Sequence, residues 1–420
     1  MGKKVFIAFI LTLLFLEGYF LWTTHQHEIN QFQQLLFEKE KPRLGILYQY
    51  MNDPLAVEHL DLGTYIPFGH QIPKEIGLFK NLKTLDLSET GINSLPTEIG
   101  ELTQLEVLNL SNNRLTELPH SIGKLKNLKE LNIFNNQIQE LPSSIIFLTE
   151  LEVLNIGHNH ISILPQLLHG APKLKKLILI NNEFGTTGTV EDIIRGSAYF
   201  PVLEVLNASQ NKLRGLTLQA EMMPHLHDVN LSSNKLKQIP ESITKLENLQ
   251  FLRLDFNKIN EFPDDIGNCK YLRELRVSYN DLNSISMVLG QLDSLKVLDM
   301  TYNKIQVNEK NPIPTLKVHS LNLSNNNMTT VPASIKELKN VKVLKLQNNK
   351  IQSINTDIKS LVNLEILDLS HNQIKRLPKS ITTLERLGKV NLKGNDIEYG
   401  DFYQVNEKMP QTIFSLGDTY

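Results

Sequence analysis

The chain has 420 residues, with 43 Lys and Arg against 45 Asp and Glu, and a formal net charge of −2. That balance excludes the basic footprint of a nucleic-acid binder. One cysteine, Cys269, excludes an intramolecular disulfide framework, and the lack of cysteine-stapled ends points to a bacterial or an intracellular setting.

The N-terminus reads MGKKVFIAFILTLLFLEGYFLWTTHQ, with Lys3 and Lys4 ahead of an apolar run, Val5 to Trp22, broken by Thr12, Glu17 and Gly18. Eighteen helical residues reach roughly 27 Å, close to the ~30 Å hydrocarbon core of a bilayer. Residues 1–22 are therefore expected to be a signal-anchor or transmembrane segment, crossing through residues 5–22. Two alternatives stay open: a cleaved signal peptide, although no A-x-A-like site follows, or a buried apolar helix. With the lysines held in the cytoplasm, the rest of the chain lies outside it, membrane-anchored in the cell envelope or secreted after cleavage. Residues 23–56 follow as a juxtamembrane helix, with Ile29, Phe32, Leu35 and Leu36 at helical spacing, and an N-terminal cap.

From there the chain repeats itself. LEVLNLSNNRLTELPHSIGKLKN begins at Leu105 and LKELNIFNNQIQELPSSIIFLTE at Leu128. Further units start at Leu82, Leu151, Leu174, Leu203, Leu226, Leu249, Leu272, Leu295, Val318, Val341, Leu364 and Leu387, with a degenerate one at Val57. The step is 23 residues, except 29 from Leu174 to Leu203 and 25 from Val57 to Leu82. In LEVLNL, Leu105, Leu108 and Leu110 should point inward while Val107, Asn109 and Ser111 point outward, as a short strand requires. One unit cannot bury its apolar face alone, so the units must stack.

An asparagine recurs at one phase: Asn113, Asn136, Asn159, Asn182, Asn211, Asn234, Asn257, Asn280, Asn303, Asn326, Asn349, Asn372 and Asn395. After each strand the backbone turns and leaves amides and carbonyls without partners. A buried carboxamide both donates and accepts, so these asparagines are expected to form a structural ladder. Thr90 stands at this phase in the unit from Leu82, as suits a terminal, atypical repeat.

The L-x-x-L-x-L-x-x-N-x-L pattern resembles the leucine-rich repeat family over residues 57 to about 400. Its L-P-x-x-I-x-x-L half is similar to repeats of bacterial surface proteins and of Ras-group-related scaffolds. The resemblance implies an α/β solenoid of about fourteen repeats over 57–400. Its parallel sheet would lie on the concave face of a curved arc, with mostly extended or 3₁₀ segments on the convex face. Residues 401–420 are expected to fold over the last repeat as a cap.

The 29-residue repeat, 174–202, keeps Asn182 and Phe184 in phase, so its six extra residues fall on the convex side. TVEDIIRGS predicts a helical turn over Val190 to Arg195, with Thr189 as N-cap and Gly196 as a stop, led in by Gly185 and Gly188.

No phosphate loop, nucleophile elbow or C-x-x-C occurs. His158/His160 and His225/His227 form H-x-H pairs without a third ligand at a telling spacing, so no metal is expected. Cys269 occupies a core leucine's place. The chain reads as a non-enzyme with no cofactor.

Candidate contacts are the outward strand positions and the loops just after them. Three units, from Leu249, Leu272 and Leu295, present Phe251, Arg253, Asp255, Phe256, Arg276, Tyr279, Asp299 and Tyr302, a composition found at binding hot spots. The alternative is a solvated face on which the charges form cross-strand ion pairs. A second zone, Phe134, Ile178 and Ile180, carries apolar side chains on the same face. The expected function is macromolecular recognition outside the cytoplasm, with a protein ligand or a surface glycan on the concave face. The alternative is a cytoplasmic signalling scaffold of the Ras-related kind.

Overall fold

The computed structural model describes residues 45–63, 70–164, 171–185 and 200–416. The expected anchor, the helix around Ile29 to Leu36 and the helical turn at Val190 to Arg195 lie outside the described residues. Among the described residues no helix is long and apolar enough to cross a membrane.

Every repeat opens with a three-residue strand such as Val107–Asn109, whose middle leucine is buried and whose flanking side chains are half-buried. Three residues suffice because the next turn of the coil supplies both ladder partners. Leu108 sits opposite Leu85 on one side and Leu131 on the other, all strands parallel. Among the described residues the sheet holds sixteen strands in chain order, one from each of the fifteen units counted from Val57 and one from the C-terminal segment. The degenerate unit contributes His59–Asp61, paired with Thr84–Asp86. The C-terminal segment folds as a helix, Tyr399–Glu407, followed by a strand, Ile413–Ser415, which pairs with Lys389–Asn391. The cap thus extends the sheet as well as covering its end.

The asparagine ladder is present turn by turn. The Asn136 carboxamide nitrogen donates to Leu110 O of the preceding turn at 3.0 Å and to Ile133 O of its own turn at 3.1 Å. Its oxygen accepts from Leu115 N–H at 2.9 Å. One side chain therefore satisfies backbone groups in two consecutive turns, where a leucine would leave them bare at ~1–3 kcal/mol each. The pattern runs to Asn395, which donates to Leu369 O at 2.8 Å and accepts from Ile374 N–H at 3.0 Å. Thr90 meets only part of this demand, its hydroxyl donating to Leu87 O at 2.8 Å.

On the convex side most repeats make a short 3₁₀ helix entered through proline, for example Thr97–Glu101 behind Pro96 at φ −70°. The ring fixes φ near the value this entry needs. A leucine–isoleucine core runs the length of the coil between the two faces.

The long repeat does not disturb the sheet. Lys176–Ile178 pairs in register with Val205–Asn207 across the extra residues. Asn211 still reaches Leu179 O at 3.0 Å. The chain leaves the common path at Gly185, whose φ is +85° and where a Cβ would stand 2.7 Å from Lys212 O. Only glycine tolerates both constraints.

One expectation needs correction. Ser111, expected to point outward, is 7% exposed, and Ser324 at the same phase is fully buried. Ser324 bends back into its turn, its Oγ donating to Asn322 Oδ1 at 2.6 Å.

Candidate recognition surface

The residue before each ladder position, Thr90 included, takes a left-handed conformation, from Glu89 at φ +58° to His371 at φ +53° and Gly394 at φ +68°. This conformation costs roughly 1–2 kcal/mol for an ordinary side chain and is visited most easily by Gly, Asn and Asp. Asn112, Asn135, Asn181, Asn325 and Asn348 fit that preference. Phe256, Tyr279 and Tyr302 do not, at φ +55°, +52° and +53° on three consecutive turns.

The repeat sets these rings one above another. Phe256 and Tyr279 stack with centroids 4.1 Å apart and planes 11° apart, and Tyr279 and Tyr302 at 4.1 Å and 14°. The three remain 52%, 40% and 44% exposed. Tyr279 has both ring faces covered, so a ligand meets ring edges and phenol hydroxyls. Partial desolvation within the stack, aided by the hydrogen bond and proximity of the Tyr302 phenol, pushes the Tyr279 ionisation above its ordinary value.

Beside this ridge, Arg253 and Arg276 stand opposite one another on neighbouring strands. Arg253 Nη1 donates to Asp228 Oδ1 at 2.7 Å, a cross-strand ion pair. Arg276 Nε instead pairs within its own strand, with Glu274 Oε1 at 2.6 Å. Phe251 is half-buried across from Glu274. The two aspartates serve the turns. Asp299 Oδ1 accepts from Thr301 N–H at 3.0 Å, as strand-end asparagines do elsewhere. Asp255 Oδ1 accepts from Ser278 N–H at 2.8 Å and from its hydroxyl at 2.6 Å. That role belongs to the second residue back in most turns, but here that residue is Arg276, which cannot accept.

The second zone is separate. Phe134, Ile178 and Ile180 are half-buried. Phe134 and Ile180 lean over Gly157, and the Phe134 ring lies 4.6 Å from that of His158. Nothing joins this patch to the aromatic ridge, since the strands Val205–Asn207 and Asp228–Asn230 intervene.

At the strand entries, neighbouring turns carry an alternating row of charge. Glu58 meets Lys83 at 2.8 Å, Glu106 meets Lys129 at 2.6 Å and Glu152 meets Lys175 at 2.7 Å. Each lysine holds its glutamate below the usual carboxylate range and is itself raised. Cys269 is fully buried, and burial pushes its thiol up to about 11. No cluster of three or more His, Cys, Asp or Glu suited to a metal exists among the described residues.

A feature that the outward positions alone do not reveal is a cavity of about 560 Å³ lined by Arg214, Lys235, Lys237 and Lys258. Its signal in the sequence is a cation one or three residues after the ladder asparagine, in NKLR, NKLK and NKI.

The family described as "Leucine-rich repeat region" matches residues 97–195, and that described as "Leucine rich repeat" matches 201–259 and 339–397. The fold is similar to that of a leucine-rich-repeat protein of Leptospira interrogans, 27% identical, over 88% of this chain and 98% of that one, TM-score 0.63. It is also similar to an internalin of Listeria monocytogenes, 19% identical, over 83% and 90%, TM-score 0.57. A third likeness is to a chain of the Toll–Spatzle complex of Drosophila, 25% identical, over 78% and 50%, TM-score 0.63. No curated protein matches the sequence. By its repeat, its asparagine ladder and these matches, the chain belongs to the leucine-rich-repeat proteins.

Proposed function

We propose that this chain is a non-catalytic recognition module that binds a protein on its concave face, through the ridge Phe256, Tyr279 and Tyr302 and the adjoining Arg253 and Arg276. The observation that carries the reading is the ridge's backbone. Three aromatics in left-handed turns cost about 3–6 kcal/mol. Two ring stacks return only about 1–3 kcal/mol beyond area burial. Stacking by itself does not repay that strain, whereas half-exposed aromatics beside arginines are the common anchors of protein interfaces. Sugars stack on open ring faces, and the middle ring here has none, which favours a protein over a glycan. The likeness to a chain of a protein–protein complex, Toll–Spatzle, supports the same choice.

We further propose that residues 5–22 hold the module to a membrane, outside the cytoplasm, on the strength of the lysine-flanked apolar run.

Two experiments test this. The full-length variant F256N/Y279N/Y302N should remain folded and cooperative, because strain relief opposes the lost stacking and ring burial. It should nonetheless lose proteins that the parent captures from extracts of the source cells, and R253A/R276A should weaken the same capture. Undiminished capture by both variants would remove the ridge from consideration. For topology, a C-terminal reporter active only after export should be active and pellet with membranes; an inactive, soluble fusion overturns the tether.

A further inference from the structure

The cavity lined by Arg214, Lys235, Lys237 and Lys258 carries four exposed cations. The backbone places them rigidly. Lys235 N–H donates to Leu213 O and Lys258 N–H to Leu236 O, both at 2.8 Å, so the two lysines occupy the same place on consecutive turns.

On the flanking turns of this edge, cations are answered by acids. Lys212 has Glu183 at 3.6 Å, and Lys304 has Asp281 at 2.6 Å. The strand-entry row alternates sign from Glu58 to Lys175. Between Lys212 and Lys304 the pairing lapses: none of the four lining cations meets a carboxylate among the described residues. Like charges on adjacent turns repel, so a counter-charge from outside the fold is the natural complement.

We infer that this basic cavity receives an acidic peptide segment of the protein partner; the inference rests on the protein-binding reading above. The charge is spread over three turns at ~4.8 Å steps, about 10 Å in all, a span that an extended acidic segment of three or four residues covers. Only one of the four is an arginine, so the planar, two-point grip favoured for a single phosphate is largely missing. Lys258 lies two residues beyond Phe256 and one turn along from Lys235, so a partner seated on the rings has the cavity within reach of a short segment.

The test uses the full chain and a fluorescently labelled hexaglutamate peptide, read by anisotropy at low ionic strength. K235E/K258E should weaken binding tenfold or more. K339E/K359E, which makes the same net-charge change at exposed lysines remote from the cavity, should stay within twofold. Equal losses in the two variants would mean diffuse charge attraction and would overturn the proposal, as would hexaglutamate binding unchanged by K235E/K258E. If a sulfated heparin hexasaccharide binds through these lysines and hexaglutamate does not, the cavity is a glycan site and the proposal fails. None of these readings depends on the aromatic ridge, whose own capture experiment stands or falls separately.

Discussion

The Cγ2 methyl of Ile180 occupies the space a side chain on Gly157 would need: a Cβ there would come within 2.6 Å of it. The same Cβ would stand 3.1 Å from Phe134 Cδ2 and 3.2 Å from the Ile180 carbonyl oxygen. Ser111 holds the same place two turns earlier, so this glycine is specific to its neighbours. Gly157→Ala should destabilise the protein by about 1–3 kcal/mol, the usual cost of overpacking a β-branched neighbour. Adding Ile180→Ala should recover most of that loss in denaturant titrations. A double variant no better than the single one would mean that the backbone contact, not the methyl, sets the limit.

Asp255 holds a turn that Arg276 cannot hold for itself. Asp255→Ala leaves Ser278 without the acceptor of its N–H and of its hydroxyl. A loss of about 1–3 kcal/mol is expected on chemical unfolding. In the R276N background the local acceptor returns, and the same substitution should cost markedly less. Equal costs in both backgrounds would show that the two positions do not substitute for one another.

The charged row at the strand entries sets a pH window. Glu58, Glu106 and Glu152 are lowered in the fold, so they stabilise above the ordinary carboxylate range and lose this as pH falls through their lowered values. Lys83, Lys129 and Lys175 are raised, so they stabilise below the ordinary lysine value and lose it as pH rises through the raised one. The contribution is complete between the two limits. It is exposed and therefore screened, so 1 M salt should flatten the acid limb of melting temperature against pH. A K83M/K129M/K175M variant with an unaltered pH profile would deny the row any part in stability.

Cys269 is a built-in reporter of opening. With its thiol pushed up to about 11 and fully buried, it should ignore a thiol reagent at pH 8 in the native state and react promptly in denaturant. Because the fold favours the neutral thiol, its contribution is whole below the ordinary thiol value and falls away as pH climbs from there toward 11. Prompt native labelling would place Cys269 at the surface.

What could be read from the sequence follows from where the physics repeats. Asn136 and its counterparts were legible because each meets an identical backbone demand, and so were the inward leucines. Ile413–Ser415 was not, since three residues carry no period and pair only because the preceding strand leaves an open edge. At the surface, Phe256, Tyr279 and Tyr302 stood out as large rings in a loop, but their stacking depends on left-handed turns that bring them into line. The partners of Arg253 and Arg276 were beyond sequence reading: each arginine had acids within reach on its own and neighbouring strands, and side-chain reach decided between them. Lys235 and Lys258 look like ordinary solvated lysines until the absence of nearby acids is seen in space.

The pairing of Lys176 with Val205 across six surplus residues makes the concave face a ruler whose graduations do not move when material is added behind it. Length in the repeat and address on the face are separate variables. A tag or a whole small domain inserted after Gly185 should leave the ring-to-ring spacing at Phe256, Tyr279 and Tyr302 as it is. Repeat length in this solenoid can therefore change while the scale set by the sheet does not.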